Sequence, residues 1–305
     1  MSTQVGSTDN GISPATGPLN YSNNAAVGKL RAAAISWLLL LPAIIFLIAC
    51  FAIPLCMLLS ISFEGEGGAF SAYATLLSDE VFLTVFYNTT KLATVVTAIS
   101  VLLAYPAALL LSKLRGAALS VALYCVLVPF WISVLVRAFS WMLLLERNGP
   151  VNGTILFLGI AEKPLKLLFN DFSVYLGMVH VLLPYAILPI YSSILKVDRR
   201  ILRASDGLGA SQLQTFCNVY LPLTLNGVLT GALFVFLMSL GFYVTPSLLG
   251  GLSNLTVAML IDNFVNERLV WPLAAAASFI LLGIILAILT LASRFVALKQ
   301  VVAVR

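Results

Sequence analysis

Six stretches of the chain contain no Asp, Glu, Lys or Arg: residues 32–63, 92–112, 116–136, 172–195, 207–261 and 269–293. Each meets or exceeds the roughly 20 apolar residues that cross the hydrocarbon core of a bilayer as a helix. The longest, 207–261, has length enough for two crossings. Thr245 and Pro246, then Gly250 and Gly251, divide it. What remains from Asn254 to Ile261 makes only about 12 Å of helix at about 1.5 Å per residue, too short to span. One crossing near 219–243, followed by a loop or a short interfacial helix, is therefore predicted there. The fold class is an all-α membrane protein with six transmembrane helices, near 35–61, 86–112, 117–145, 173–196, 219–243 and 270–294, within a domain covering 29–305.

Composition agrees with lipid as the main solvent. Hydrophobic residues make up 61% of the 305 and charged residues 10%, against roughly 25% charged in an average soluble domain. Residues 1–28 depart from this pattern, being rich in Ser, Asn, Thr, Gly and Pro, and read as a disordered tail. They do not read as a signal peptide, because the basic pair Lys29 and Arg31 precedes an apolar stretch long enough to stay in the membrane.

Basic residues set the orientation, since short loops rich in Lys and Arg stay in the cytoplasm. With six spans, one side holds Lys29, Arg31, Lys113, Arg115, Lys196, Arg199, Arg200, Arg203, Arg294, Lys299 and Arg305, and the other holds Arg147, Lys163, Lys166 and Arg268. Both termini and the loop at 198–218 are thus expected to be cytoplasmic. The external loops add Glu64, Glu66, Asp79, Glu80, Glu162, Asp171, Asp262 and Glu267, with Glu146 at the outer end of the third span, a field that favours cations at the mouth. The net charge of +5 follows from this topology and calls for no nucleic-acid partner.

The chain offers no reactive constellation. It has no Gly-x-x-x-x-Gly-Lys-Ser/Thr loop to cradle nucleotide phosphates, no His-Glu-x-x-His, no Gly-x-Ser-x-Gly and no carboxylate cluster within the spans. No catalytic residue, cofactor or metal is expected. The cysteines at 50, 56, 125 and 217 form no Cys-x-x-Cys pair and read as packing residues. His180, the single histidine, lies inside the fourth span and reads as a helix-to-helix hydrogen-bond partner or as a proton relay. Transport against a gradient would have to draw on a partner chain or on an ion gradient. Against a stand-alone secondary transporter stands the absence of internal repeats and of ionisable residues in several spans.

Between Asp198 and Pro222 a charged hinge interrupts the apolar sequence. Ile201, Leu202, Ser205 and Leu208 fall three to four apart, opposite Arg199, Arg200, Arg203 and Asp206, which predicts a short amphipathic helix. Gly207 and Gly209 permit the angles that end it. A second turn brings Leu213, Phe216 and Tyr220 to one side, and Pro222 suits the first turn of the next span. The element reads as a helix, tight turn and helix projecting into the cytoplasm; a linker lying on anionic lipid is the plainer alternative.

Ala204, Leu208, Gly209, Ala210, Phe216, Val219, Leu221 and Pro222 stand at the positions of the ATPase-docking loop of permease subunits in binding-protein-dependent ABC importers, which this segment resembles. It departs from the pattern at Arg203, where the family has Glu, at Ser205, where it has Ala, and at Asn226 ahead of Gly227, where it often has Pro. The charge reversal at Arg203 implies a complementary change on the ATPase or a contact placed elsewhere. The likeness continues from about residue 35 onward: 129–141, 148–152, 183–191, 241–251 and Trp271 with Pro272 look like the branch that imports spermidine and putrescine, whose relatives also carry ferric iron, phosphonates and other small solutes.

The resemblance implies a permease subunit in a bacterial inner membrane, paired with a second permease or with itself. It also implies two ATP-binding subunits, an external solute-binding protein and a small-molecule solute as partners. The residues it assigns to ATPase coupling are Arg203, Ala204, Ser205, Asp206, Leu208, Gly209, Ala210 and Phe216. Candidates for the translocation path are Trp131, Arg137, Trp141, Tyr185, Phe242 and Tyr243. Two roles stay open for Arg137, an anchor of the third span or a lining residue, with Trp141 at i+4 as a ring partner for its charge. The aromatic residues equally suit a membrane interface.

Overall fold

The computed structural model describes the backbone of residue 37 and of residues 40–65, 67–251 and 254–303; for Arg199, Asp206 and 295–303 the description stops at the backbone. The expected tail at 1–28 and the basic residues Lys29, Arg31 and Arg305 lie outside the described residues. The chain divides into two units, Met1–Leu58 and Leu59–Arg305.

Helix α1, Leu40–Ser62, supplies the first apolar span, nearly all of it within the first unit. A wide turn at Ile48–Ala52 interrupts it, closed by the Ile53 amide on the Ile48 carbonyl. The cause is Pro54. Without an N–H it cannot bond the Cys50 carbonyl, and one extra residue in the turn absorbs the defect.

The second unit begins with the short helix α2, Ser71–Ser78, and the long helix α3, Glu80–Lys113, whose start is capped by the Asp79 carboxylate on the Val81 amide. Helix α4, Gly116–Leu127, follows, then a tight turn at Val128–Phe130 and helix α5, Val134–Leu145. Where the sequence pattern draws one span over 117–145, the chain forms two helices bent by 96°. Pro129 removes the amide that would continue α4, and Ser133 is extended (ψ 136°), so α5 starts afresh. Among the described residues there are thus five continuous helices long and apolar enough to cross a membrane, and six spans if the bent pair is taken as one.

Helix α6, Pro150–Phe157, belongs to an excursion held by one side chain. The fully buried Asn152 donates to the Glu146 carbonyl (3.2 Å) and the Leu165 carbonyl (3.0 Å), and accepts from the Leu165 amide (2.9 Å). Next come α7, Asp171–Leu195, and the connecting loop, with α8, Arg199–Gly207, and α9, Gln212–Thr215. The loop feeds α10, Leu221–Leu240, which is followed by α11, Val244–Leu249, α12, Val257–Asn266, and α13, Trp271–Ala303.

Helix α7 is the centre of the second unit, with 61% of its most apolar window buried, and α3 and α10 pack against it. Close approach depends on small residues. Gly227 and Gly231, one turn apart on α10, face α7: a Cβ at Gly227 would stand 2.7 Å from the Pro189 carbonyl oxygen, and one at Gly231 would stand 3.0 Å from that of Ala186. This is the spacing that lets helix backbones pack in lipid, where hydrophobic expulsion gives no help. A second cluster joins α2, α3, α12 and α13 around Phe82, Phe264, Ala274, Ala276 and Ala277. Polar pins cross between helices: the Val257 amide donates to Thr89 (2.9 Å) and the Ser173 hydroxyl to the Leu249 carbonyl (2.8 Å).

If Gly227 sets the α7–α10 distance, Gly227→Val should cost about 1–3 kcal/mol by overpacking. Thermal unfolding of the detergent-solubilised chain should then start several degrees lower. Gly283→Val, where a Cβ meets nothing within 4 Å, should leave the transition in place.

Candidate functional site

The loop between α7 and α10 is assembled from local rules. Asp198 accepts from the Arg200 amide (2.8 Å) and starts α8. At the other end the Leu208 amide returns to the Ala204 carbonyl (3.1 Å), the Ala210 amide returns to the Ser205 carbonyl (3.3 Å), and Gly209 takes φ +80°. That is the left-handed residue with which glycine commonly closes helices. Ser211 and Gln214 then form a reciprocal capping box that opens α9. The Ser205 and Thr215 hydroxyls lie 3.0 Å apart and tie the two arms together.

The loop joins the bundle through its last turn. Phe216–Tyr220 is a second wide turn, closed by the Leu221 amide on the Phe216 carbonyl, and it stands just ahead of Pro222 as the first stands ahead of Pro54. The Phe216 ring meets Tyr105 of α3 edge-on at 5.6 Å and stacks on Tyr220 at 6.4 Å. Tyr105 in turn shares a buried hydrogen bond with Thr224 of α10 (2.8 Å). The loop is therefore rooted on α3 and α10 together.

Its far side is open. Leu208 is 89% exposed and Leu213 72%, and Arg203, Ala204 and Gly209 are exposed beside them. Ser205, Ala210 and Phe216 are half-buried. The Asp206 side chain lies outside the described residues. The other seven residues singled out for coupling thus fall into an exposed ridge and an anchored base.

The aromatic candidates do not form one set. Arg137 of α5 is buried to 9% exposure, its Nε without a hydrogen-bond partner, and it lies within electrostatic reach of Tyr185 and His180 of α7. The Trp141 indole donates to His180 Nδ1 at 3.1 Å, with the rings edge-on at 5.7 Å. In the neutral ring this leaves Nε2 to carry the proton. His180 thus makes a helix-to-helix hydrogen bond, and Trp141 spends its polar edge on it. The cation–ring contact found among the described residues is Arg268 over Phe264, not Arg137 over Trp141. Tyr185 packs edge-on against Phe130 (4.9 Å), while Trp131, next in sequence, is 76% exposed at the bend. Phe242 is half-buried against the main core, and Tyr243 turns away to donate to Asp262 of α12 (3.0 Å). Trp141 and Arg137 are brought to His180, and Tyr185 to Arg137; Trp131 and Tyr243 stand apart.

The four cysteines, expected as packing residues, carry exposed free thiols. A lipid-facing surface accepts a small apolar side chain as readily as a core does. Sequence reasoning gave no structural role to Lys91, Asn152, Thr224 or the Gly227–Gly231 pair. The last had a readable signal in its spacing, whereas Thr224 depends on a contact across 119 residues.

No family model matches the chain. It is 36% identical over 224 residues to the spermidine/putrescine transport system permease protein PotB of Escherichia coli, covering 72% of this chain and 81% of that one. Its identity to the protein of the same name from Haemophilus influenzae is 34% over 233 residues, covering 74% and 82%. The inner membrane ABC transporter permease protein YdcU of Escherichia coli is 31% identical over 224 residues, covering 68% and 69%. Among solved structures, a bacterial ABC transporter involved in import of the acidic polysaccharide alginate matches with a TM-score of 0.66 at 16% identity, over 89% of this chain and 98% of that one, which establishes the fold. By fold and by sequence, the chain belongs to the ABC-transporter permease family that includes the spermidine/putrescine transport system permease proteins.

Proposed function

We propose that this chain is the permease subunit of an importer for polyamines, with the 198–218 loop docking on separate ATP-hydrolysing subunits. The observation that carries the mechanism is the two-sided build of the loop. Leu208 and Leu213 present apolar side chains to the surroundings, and Phe216 is fixed on the Tyr105–Thr224 pair. A push on the exposed ridge would reach α3 and α10 at once, and α7 through the glycine contacts. Identity to the spermidine/putrescine permeases supports the solute class.

In this reading the loop faces the cytoplasm, in keeping with eleven basic residues on its side against four opposite. Two ATPase subunits, a second permease and an external solute-binding protein complete the machine, with alternating access around a site between the permeases. Arg137 serves as an anchor of α5, because a buried guanidinium lining the route would repel a polycation. The passage would rely on aromatic faces, carbonyls and water, giving weak binding in transit.

Two outcomes are expected. Gly209 holds φ +80°, which a β-branched residue resists. Gly209→Val should abolish solute-stimulated ATP hydrolysis in the assembled complex while the chain still inserts in the membrane; normal stimulation would reduce the loop to a linker. In cells stripped of other polyamine systems, uptake of labelled putrescine and spermidine should require this chain. Equal uptake without it, together with an external receptor that prefers an anion, would remove the polyamine assignment.

A further inference from the structure

At the end of the bundle opposite the loop, a shallow open pocket of about 30 Å³ has room for a water-sized group, the size of an ammonium head. Its polar lining is Asn88 and Lys91 of α3, Asp171 and Tyr175 of α7, and Asn254 and Thr256 ahead of α12. Lys91 sits about three turns into α3, within the predicted span 86–112.

Asp171 is the hub. Its Oδ1 accepts from the Asn254 amide (2.6 Å), and Asn254 Oδ1 accepts in turn from the Gly251 amide (3.1 Å), which fixes the carboxylate in place. Its Oδ2 faces the Lys91 ammonium at 3.9 Å, the outer limit of an ion pair, with both side chains about half exposed (51% and 49%). Asn254 and the Tyr175 hydroxyl therefore hold the carboxylate, and the Lys91 ammonium engages it only at the limit of an ion pair. Asn88 lines the pocket beside them, while the buried Thr256 hydroxyl caps α12 through the Met259 amide.

We infer that this cavity is an entry site for a primary ammonium group, in which the amine end of the solute replaces Lys91 at Asp171. The inference rests on the importer reading above, which places this end outside. Lys91 is a tethered copy of the group to be recognised. It keeps the carboxylate paired when the site is empty, and it competes with the incoming amine, so the solute is held briefly. The amino-terminal end of α7, whose partial positive charge lies at Asp171, weakens retention further. A pass-through site needs this balance, because a carboxylate with no rival cation would trap a polyamine at the mouth.

The test uses the full complex in nanodiscs, in a chain carrying Asn88→Cys with the native cysteines replaced by alanine, and follows the rate at which a neutral methanethiosulfonate labels the new thiol. Putrescine and spermidine should slow labelling, and butane-1,4-diol of the same length should not. Asp171→Asn should raise the protecting concentration at least about tenfold, the loss of one charge-assisted hydrogen bond. Lys91→Met should lower it several-fold, a gain that a damaged fold would not give. Equal protection by diol and diamine, or no change in either variant, would overturn the site. Protection that follows this pattern in a chain whose removal leaves polyamine uptake untouched would keep the amine site and discard the polyamine importer reading.

Discussion

In a hydrocarbon layer no water is available to satisfy a backbone amide or carbonyl, so every such group must find its partner within the protein. Proline breaks that rule wherever it enters a helix, and this chain handles the breach in different ways. Ahead of Pro54 and ahead of Pro222 the helix widens by one residue. At Pro129 the helix stops and restarts at an angle. Pro106 lies inside α3, and Pro184 and Pro189 lie inside α7, the most buried span; both helices run on through them. The widened turn at Phe216–Tyr220 has the largest consequence, since it turns the Phe216 ring onto Tyr105 and so decides where the loop is rooted.

From that root the architecture reads as a lever with a short arm. Ser205 and Thr215 tie α8 to α9, and the Phe216–Tyr105–Thr224 contacts tie the base to two spans. Gly227 and Gly231 then hold α10 against α7 at backbone distance. Packing this close is not continuously deformable, so in the proposed importer a displacement at the loop would move helices as bodies. At the other end α7 begins at Asp171, the hub of the proposed amine site. The same helix thus joins the two ends at which, in the proposed importer, solute enters and energy arrives.

Much of this was legible in the sequence. Charge-free windows of sufficient length mark the spans because the lipid solvent penalises charge directly, residue by residue. The loop was readable for the opposite reason, as the one stretch where Asp198, Arg199, Arg200, Arg203 and Asp206 crowd together, and glycine at 209 marked the turn. The break at 131–133 was harder to see, because apolar content is the same on either side and the signal resides in Pro129 alone. The surroundings of the aromatic residues were not legible from residue type: Trp131 is exposed at the bend and Tyr243 bonds Asp262, whereas Trp141 bonds His180 and Tyr185 packs on Phe130. Lys91 escaped because it stands at the edge of a window, where a charged residue reads as a boundary. Its meaning comes from Asp171, eighty residues away, and no local pattern records that pairing.

The central claim is that the 198–218 loop is a cytoplasmic docking element rather than a linker resting on lipid. Leu208, 89% exposed at the tip of the turn, is the place to test it. In a chain with the four native cysteines replaced by alanine, Leu208→Cys would be labelled with a membrane-impermeant maleimide, in right-side-out and inside-out vesicles, with and without the ATPase subunits. The account predicts rapid labelling from the cytoplasmic face alone and strong protection once the ATPase is bound. Labelling from the outer face, or a rate indifferent to the ATPase, would contradict it.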